Sequence, residues 1–186
     1  MTDVSATLAQ WRAQEDAVRA RQTHPPGIGD LHALADAPGI EVFRRMLNGD
    51  WPPPPIAVTM DFMLVEVEPG RAVFQGRPAL PFYNPLGSVH GGWFATLLDS
   101  ALGCAVHSAL PAGKAYTTLE FKVNLVRALS ERVPLVRAVG TAVHVGSQVA
   151  TAEARLVDAE GRLYAHASTT CLVFPLRVPT PRRPAA

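Results

Sequence analysis

The segment from Gly91 to Leu110 is apolar around almost its whole circumference, and it constrains the fold more than any other part of the chain. The pattern predicts one long helix, which Pro111 and Gly113 end. A helix that is apolar on all sides is stable only when other elements cover all of its sides. The rest of the chain is therefore expected to wrap around this helix.

The segments on both sides of the helix alternate in the manner of strands. Two of them, joined by the turn residues Pro69 and Gly70, precede the helix as a hairpin, and four follow it. The simplest arrangement is α+β: a curved antiparallel sheet wrapped around one long central helix. The expected strands are residues 59–68, 72–77, 116–127, 135–145, 148–157 and 162–174.

The composition divides the chain into three regions. Residues 1–50 read as an N-terminal helical arm, residues 51–175 as the main domain, and residues 176–186 as a flexible tail rich in proline and arginine. Within the arm, the sequence predicts helices over 5–22, with Ser5 as N-cap, and over 39–47. The prolines at 52–55 predict a stiff, extended connector to the main domain.

The bulk properties exclude several classes of protein. The 186 residues suffice for one domain with a full core, and a net charge of +1 argues against a nucleic-acid-binding protein. No apolar run reaches the roughly 20 residues that cross a bilayer, and no secretory signal is visible, so we expect a cytoplasmic protein without a membrane partner. Cys104 and Cys171 match no metal-ligand spacing, and both are expected to be reduced core residues.

Asp99 is the one charged residue within the apolar helix. A buried charge without a partner is too costly to persist, so this carboxylate has either a satisfying partner or a chemical role. Burial would also raise its pKa towards the range of a useful general base. Asp99 is therefore the natural candidate for activating a water molecule.

The start of the helix presents a different chemistry. Gly91 and Gly92 lack side chains, so a ligand can approach backbone N–H groups that have no partner within the helix. Such donors can stabilise a carbonyl oxygen that becomes negative during attack, and Asn84 could add a side-chain donor. A tight loop-to-helix junction would also explain the glycines, and His90 could be purely structural.

The spacing of these groups predicts an oligomer. Gly91 and Asp99 are eight residues apart, which is roughly 12 Å along a helix axis. They cannot both reach one reacting carbon from the same helix, whereas two helices packed antiparallel across a two-fold axis could bring them together. If both residues are catalytic, the enzyme is at least a dimer with composite sites.

Thr117 and Thr118 open the strand that follows the helix. A hydroxyl group there could help to hold the attacking water. Threonine is also simply a good strand residue, so both interpretations stay open.

The pattern Asn84-x5-His90-Gly91-Gly92, followed by Asp99 and Thr117, resembles the hotdog-fold acyl-CoA thioesterases, specifically their PaaI-type (phenylacetic acid degradation) branch. The resemblance extends over residues 39–174. It implies a hotdog fold that pairs into homodimers, often into homotetramers, and an enzyme that hydrolyses an acyl-CoA to a free acid and CoA.

The resemblance also implies roles for individual residues. The Gly91 N–H and Asn84 would polarise the thioester carbonyl, His90 would orient its neighbours, and Asp99 of the partner subunit would activate water or attack directly, with help from Thr117. CoA would be part of the substrate, so no separate cofactor and no metal is expected. The residues expected to contact CoA are Gly92, Lys122, Arg127, Arg132 and Arg137.

Several alternatives stay open at this point. A non-catalytic acyl-CoA-binding module and a hotdog hydratase share the fold, whereas a serine hydrolase lacks its Gly-x-Ser-x-Gly motif here. The acyl group, the choice between CoA and acyl carrier protein, and dimer against tetramer are not determined. Four aromatic residues are equally compatible with a substrate pocket and with core packing: Phe82, Tyr83, Trp93 and Phe94.

Overall fold

The computed structural model describes residues 3–30, 32 and 35–176. Six antiparallel strands form one curved sheet in the order β1-β2-β4-β5-β6-β3. The helices are α1 (Val4–Arg21), α2 (Ile40–Asn48), α3 (Pro55–Thr59) and α4 (Gly91–Ser108). The strands are β1 (Phe62–Glu68), β2 (Arg71–Gly76), β3 (Lys114–Leu125), β4 (Val136–Val145), β5 (Val149–Asp158) and β6 (Leu163–Pro175).

Helix α4 lies in the concavity of the sheet, as its apolar circumference predicts. Leu97, Leu98 and Leu102 are completely buried. At Gly140 of β4 the helix backbone approaches so closely that an added Cβ would collide with the carbonyl oxygen of Ala101. The expected α+β hotdog architecture is confirmed.

The N-terminal helix α1 covers the face of the sheet that points away from α4. Gln75 of β2 and Arg137 of β4 are paired in register and both are buried beneath it. The Gln75 amide donates to Glu15 (2.7 Å), and the Arg137 guanidinium lies 4.4 Å from the ring centre of Trp11. These contacts fix the arm to the outer face of the sheet.

Helix α2 does not form a separate unit, because its Phe43 is part of the main hydrophobic core. Two expectations, one for the arm and one for the proline connector, are wrong. The N-cap of α1 is Asp3 and not Ser5, because the Asp3 carboxylate accepts from the Ser5 N–H at 2.9 Å. The proline connector is not fully extended, since Pro55 begins the short helix α3, where proline needs no N–H donor.

The other element boundaries fall close to those expected. The hairpin turn is at Pro69 and Gly70, and Gly70 adopts a positive φ of 80° that suits glycine. The largest shift is at β1, which begins at Phe62 because α3 occupies part of the expected strand. The predicted tail over 176–186 lies outside the described residues except for Leu176.

Within the described ranges, none of the helices combines the length and the apolar character that a membrane crossing requires.

Candidate active site

Asp99 lies on the flank of α4 that faces β3, and it is half-buried. Its Oδ1 atom is buried and has no hydrogen-bond partner among the described residues. Burial raises the pKa of Asp99 above its ordinary value, while the neighbouring Thr118 hydroxyl lowers it in part. The carboxylate therefore has an acceptor atom available and a raised basicity, as a general base requires.

The threonine beside Asp99 is Thr118, not Thr117. Thr118 is paired with the buried Cys171, and its side chain points towards α4, whereas Thr117 is paired with the exposed Leu172. Because side chains alternate between the two faces of a strand, Thr117 points away from the helix. The structure does not bring Thr117 to the carboxylate.

The N-terminus of α4 presents one free backbone donor. His90 is the N-cap, and its Nδ1 atom accepts from the Gly92 N–H at 2.8 Å, while the Trp93 N–H donates to the His90 carbonyl. The Gly91 N–H has no acceptor among the described residues. Of the two glycines, Gly91 is thus the one that can donate to a ligand, and His90 fixes the direction of that donor.

Asn84 lies in the same groove as Gly91. Its Oδ1 atom accepts from the Leu86 N–H (2.9 Å), and its Nδ2 atom donates to the Ser88 hydroxyl (3.0 Å), which closes the loop before α4. An asparagine amide carries two donor hydrogens, so one is left for a ligand. We call this surface the Asn84 groove; it has a volume of about 340 Å³ and is lined by Asn84, Ser88, Val89, Gly91, Phe94 and residues 125–128.

A second groove adjoins the first turn of α4 and carries aromatic side chains. Phe82 stacks on Trp93 with ring centres 5.9 Å apart, and Tyr83 lies beside them. Trp93 and Phe94 are nearly fully buried, whereas Phe82 and Tyr83 are half-buried. These aromatic residues thus contribute both to the core and to the surface of the protein. We call the second groove the Trp93 groove.

The four basic residues expected at the CoA phosphates lie apart from one another. Arg127 is exposed and lines the Asn84 groove, while Lys122 and Arg132 are exposed outside it. The expectation for Arg137 is wrong. Its guanidinium is buried under α1, and its three nitrogens donate to Gln75, Glu66 and Gln14 at 2.8–2.9 Å, so it is not accessible to a phosphate.

One residue near Asp99 escaped the sequence analysis. Tyr116 lies against α4 at Gly103, where an added Cβ would collide with its hydroxyl oxygen. Burial raises the pKa of Tyr116 well above its usual value, so the phenol is neutral. The glycine inside an otherwise strong helix is the signal that could have indicated this close approach.

The strand β3 is an open edge of the sheet. It is twelve residues long, and no described strand pairs with its outer side. Several of its apolar side chains are exposed, among them Leu119 (59%), Phe121 (39%) and Leu125 (52%). Leu125 lies directly against Gly91, so this bare edge borders the Asn84 groove.

Comparison with known proteins agrees with this fold. Residues 86–165 match the model of the thioesterase superfamily. The phenylacetic acid degradation-related protein from Ralstonia eutropha JMP134 is 28% identical with a TM-score of 0.64, covering 70% of this chain and 98% of that one. For the phenylacetic acid degradation protein PaaI from Thermus thermophilus, a mutant structure, the identity is 25% and the TM-score 0.57, with 63% and 97% covered.

A curated relative extends the comparison to a defined enzyme. The 1,4-dihydroxy-2-naphthoyl-CoA hydrolase of Listeria monocytogenes is 27% identical over 105 residues, which are 56% of this chain and 84% of that protein. The fold and the matched segment together define a hotdog-fold thioester hydrolase. Residues 86–165 are thus similar to the thioesterase superfamily, and the resemblance of the chain to the PaaI-type proteins is confirmed.

Proposed function

We propose that the protein hydrolyses acyl-CoA thioesters to a free carboxylic acid and CoA. The observation that carries this proposal is Asp99, a half-buried carboxylate with an unpartnered oxygen and a raised pKa. A purely structural carboxylate at this depth would be expected to have both oxygens satisfied. The curated relative from Listeria, named as a 1,4-dihydroxy-2-naphthoyl-CoA hydrolase, supports the same class of substrate.

The complete site requires two copies of the chain. Helix α4 is continuous from Gly91 to Ser108, so Gly91 and Asp99 of one chain remain roughly 12 Å apart along its axis. Pairing of the bare β3 edges across a two-fold axis would place two α4 helices side by side and antiparallel. In such a homodimer, Asp99 of the partner subunit approaches Gly91 and completes the site.

The reaction then uses a general base and hydrogen-bond donors to the carbonyl oxygen. The Asp99 carboxylate takes a proton from water as the water oxygen attacks the thioester carbonyl carbon. The carbonyl oxygen becomes negative and accepts from the Gly91 N–H, with the free amide hydrogen of Asn84 as a second donor. Collapse of this intermediate breaks the C–S bond, and the CoA sulfur leaves and acquires the proton.

The two grooves suggest how the substrate lies. The Asn84 groove holds the thioester, and Arg127 at its rim is placed to pair with a phosphate of CoA. The Trp93 groove, with its stacked Phe82 and Trp93, suits an aromatic or a short to medium acyl group. Thr118, beside Asp99, is the hydroxyl that would help to hold the water.

The test is thiol release from a panel of aromatic and straight-chain acyl-CoAs, measured for the wild type and for Asp99→Ala side by side. We expect release by the wild type and a loss of about 10²- to 10⁴-fold in kcat in the variant, the usual contribution of a general base. Release that is unchanged in Asp99→Ala would refute the assigned base. Saturable binding of acyl-CoA without any thiol release would instead identify a non-catalytic binding module.

A further inference from the structure

Among the described helices, α1 alone contributes no side chain to the main hydrophobic core. Only two of its side chains are buried, Glu15 and Val18, and the first of them carries a charge. Helix α2, by contrast, places Phe43 inside that core. Because the burial of apolar surface is the dominant favourable contribution to folding, α1 is attached to the domain less firmly than α2 is.

Hydrogen bonds and ion pairs hold α1 on the sheet, and Glu15 lies at their centre. The Glu15 carboxylate accepts hydrogen bonds from three side chains: Gln75 at 2.7 Å, Arg19 at 2.8 Å and Arg77 at 3.3 Å. A buried carboxylate is tolerated only while such partners compensate for its lost hydration. The docking of α1 therefore depends on the charge of one side chain.

The part of the sheet beneath α1 is polar and is paired within itself. Arg137 donates to Gln75 and to Glu66, both at 2.9 Å, and Arg71 pairs with Glu66 at 2.9 Å. None of these bonds involves α1, so they persist when the helix leaves, and water satisfies the polar atoms that are uncovered. Exposure of this surface therefore costs much less free energy than exposure of an apolar one.

The sequence of α1 favours a helix even without the sheet. It is rich in alanine, arginine and glutamine, which are strong helix formers. Asp3 caps its first turn, and Arg19 and Arg21 lie in its last turn, where cations interact favourably with the helix dipole. Its 18 residues exceed the roughly 12–15 below which isolated helices are marginal in water. Helix α1 can therefore leave the sheet as a preformed helix.

Helix α1 also forms one wall of an apolar cavity of about 280 Å³ at the β1 edge of the sheet. Val18 and Arg19 belong to this wall, whereas Phe43, Met46 and Phe62 belong to the parts of the cavity that α2 and β1 supply. Departure of α1 removes its wall and exposes the cavity to solvent.

We propose that α1 is a strap that docks on the outer face of the sheet and leaves it reversibly. The charged contacts of Glu15 fasten the strap, and the cavity beneath it opens and closes with its movement. The connector that follows α1 stays in place, because the Gly27 N–H donates to the Pro53 carbonyl at 3.1 Å. The movement requires neither a substrate nor unfolding of α4, so it is independent of the proposed hydrolysis.

Amide hydrogen exchange, followed by mass spectrometry on the full-length protein, tests the strap. We expect the amides of α1 to exchange at least about tenfold faster than those of α4. Their exchange should also depend less on urea, because undocking exposes less surface than global unfolding does. Equal protection of the two helices, with the same urea dependence, would overturn the proposal, since α1 would then open only when the whole domain unfolds.

The substitution Glu15→Gln tests the fastening. It keeps the size of the side chain but removes the charge that holds Arg19 and Arg77, so exchange in α1 should rise a further ten- to a hundredfold or so, about the range of one hydrogen bond to a charged group. Exchange in α4 should change less than twofold or so. Equal acceleration of the two helices would show that α1 and α4 open together and would refute the strap.

Glu41 on α2 provides the matched control. Its carboxylate pairs with Arg44 of the same helix at 2.6 Å. Glu41→Gln should therefore change exchange in α1 less than about twofold, because an ion pair within α2 does not fasten α1. An acceleration as large as that in Glu15→Gln would show that loss of any carboxylate loosens the arm and would overturn the assignment of Glu15.

Oxidation of methionine by hydrogen peroxide reports on the cavity. Met46 lines the cavity and Met60 lines the Trp93 groove, and both are half-buried. Because oxidation follows exposure of the sulfur, Met46 should react at least about threefold faster in Glu15→Gln than in the wild type, and Met60 at an unchanged rate. Unchanged oxidation of Met46 in a variant whose α1 exchanges faster would separate the cavity from the strap and overturn that part of the proposal. Neither measurement uses a thioester, so both apply whether or not the protein hydrolyses acyl-CoA.

Discussion

The two edge strands of the sheet, β1 and β3, differ in whether other parts of the chain cover them. At the β1 edge, α2 packs against the strand, a bulge follows Leu64, and the Gln14 side chain donates to the Val65 carbonyl at 3.2 Å. At the β3 edge, no described element covers the strand, and Leu119 and Phe121 are exposed. One edge is closed by the chain's own arm, and the other is left open.

Natural proteins usually cover or charge a long apolar edge, because it readily pairs with another chain. The bare β3 edge is therefore the expected place for a partner. If β3 pairs with a copy of itself, the covered β1 edges end the sheet on both sides, and assembly stops at a closed pair instead of growing into a fibre. The same open edge borders Gly91 and Asp99, which connects assembly with the proposed chemistry.

The largest expected effect is on kcat, when one carboxylate near each edge of the sheet is replaced by its amide. Asp99→Asn should lower kcat about 10²- to 10⁴-fold, because an amide cannot take a proton from water. Asp61→Asn, near the β1 edge, should leave turnover unchanged; Asp61 has a positive φ of 47°, a conformation that asparagine tolerates well. Steady-state thiol release measures both, and equal losses in the two variants would contradict the assignment.

The second prediction concerns what holds the arm in place. Arg137→Ala should lower the free energy of unfolding by about 2–4 kcal/mol, since Glu66 and Gln75 lose a buried partner. Arg127→Ala, an exposed change near the open edge, should leave stability nearly unaltered and raise the KM for acyl-CoA. Urea unfolding followed by circular dichroism tests the first, and a stability loss in Arg127→Ala as large as that in Arg137→Ala would break the distinction.

The third prediction tests the open edge itself. Replacing Leu119 and Phe121 together by lysine should weaken the dimer at least about tenfold, because lysine on an edge strand opposes pairing. Turnover should fall with the dimer, since the site is composite. Light scattering gives the mass, with Ile56→Lys as the control at the closed edge; a double variant that remains fully dimeric and active would show that β3 is not the interface.

The smallest effect is the pH dependence that follows from the raised pKa of Asp99. A base must be deprotonated, so kcat/KM should rise with pH through that raised pKa. A carboxyl group whose pKa is higher in the folded than in the unfolded state stabilises the fold fully below the unfolded-state pKa. This stabilisation is lost as the pH rises through the folded-state pKa. Asp99→Asn should thus have a higher Tm than the wild type at about pH 7, and the gain should vanish near pH 3; a gain that does not depend on pH would contradict this origin.

The sequence was sufficient for the fold because each element is specified locally. The apolar circumference of α4 requires a surrounding sheet, and the alternating segments and the turn at Gly70 supply it. The sequence was a less reliable guide where the role of a residue depends on tertiary contacts. Arg137 has the charge of a phosphate ligand, and only its position beneath α1 shows that its guanidinium is buried and paired with other side chains.

The choice between Thr117 and Thr118 also depends on tertiary contacts that the sequence does not reveal. Adjacent residues of a strand point to opposite faces, and no local pattern in Thr117-Thr118 states which of them faces α4. The pairing of Thr118 with the buried Cys171 decides it, and that pairing joins residues far apart in the chain.

The sequence by itself determined the α+β architecture, because the apolar circumference of α4 requires a surrounding sheet. It also placed the glycines at the start of α4 and the Asp99 carboxylate eight residues after Gly91, because these positions depend on spacing along one helix. The tertiary structure decided which edge of the sheet is open, which threonine meets Asp99 and where the arm encloses a cavity. These features arise where segments distant in the chain compete for the same surface, and the outcome depends on packing in three dimensions.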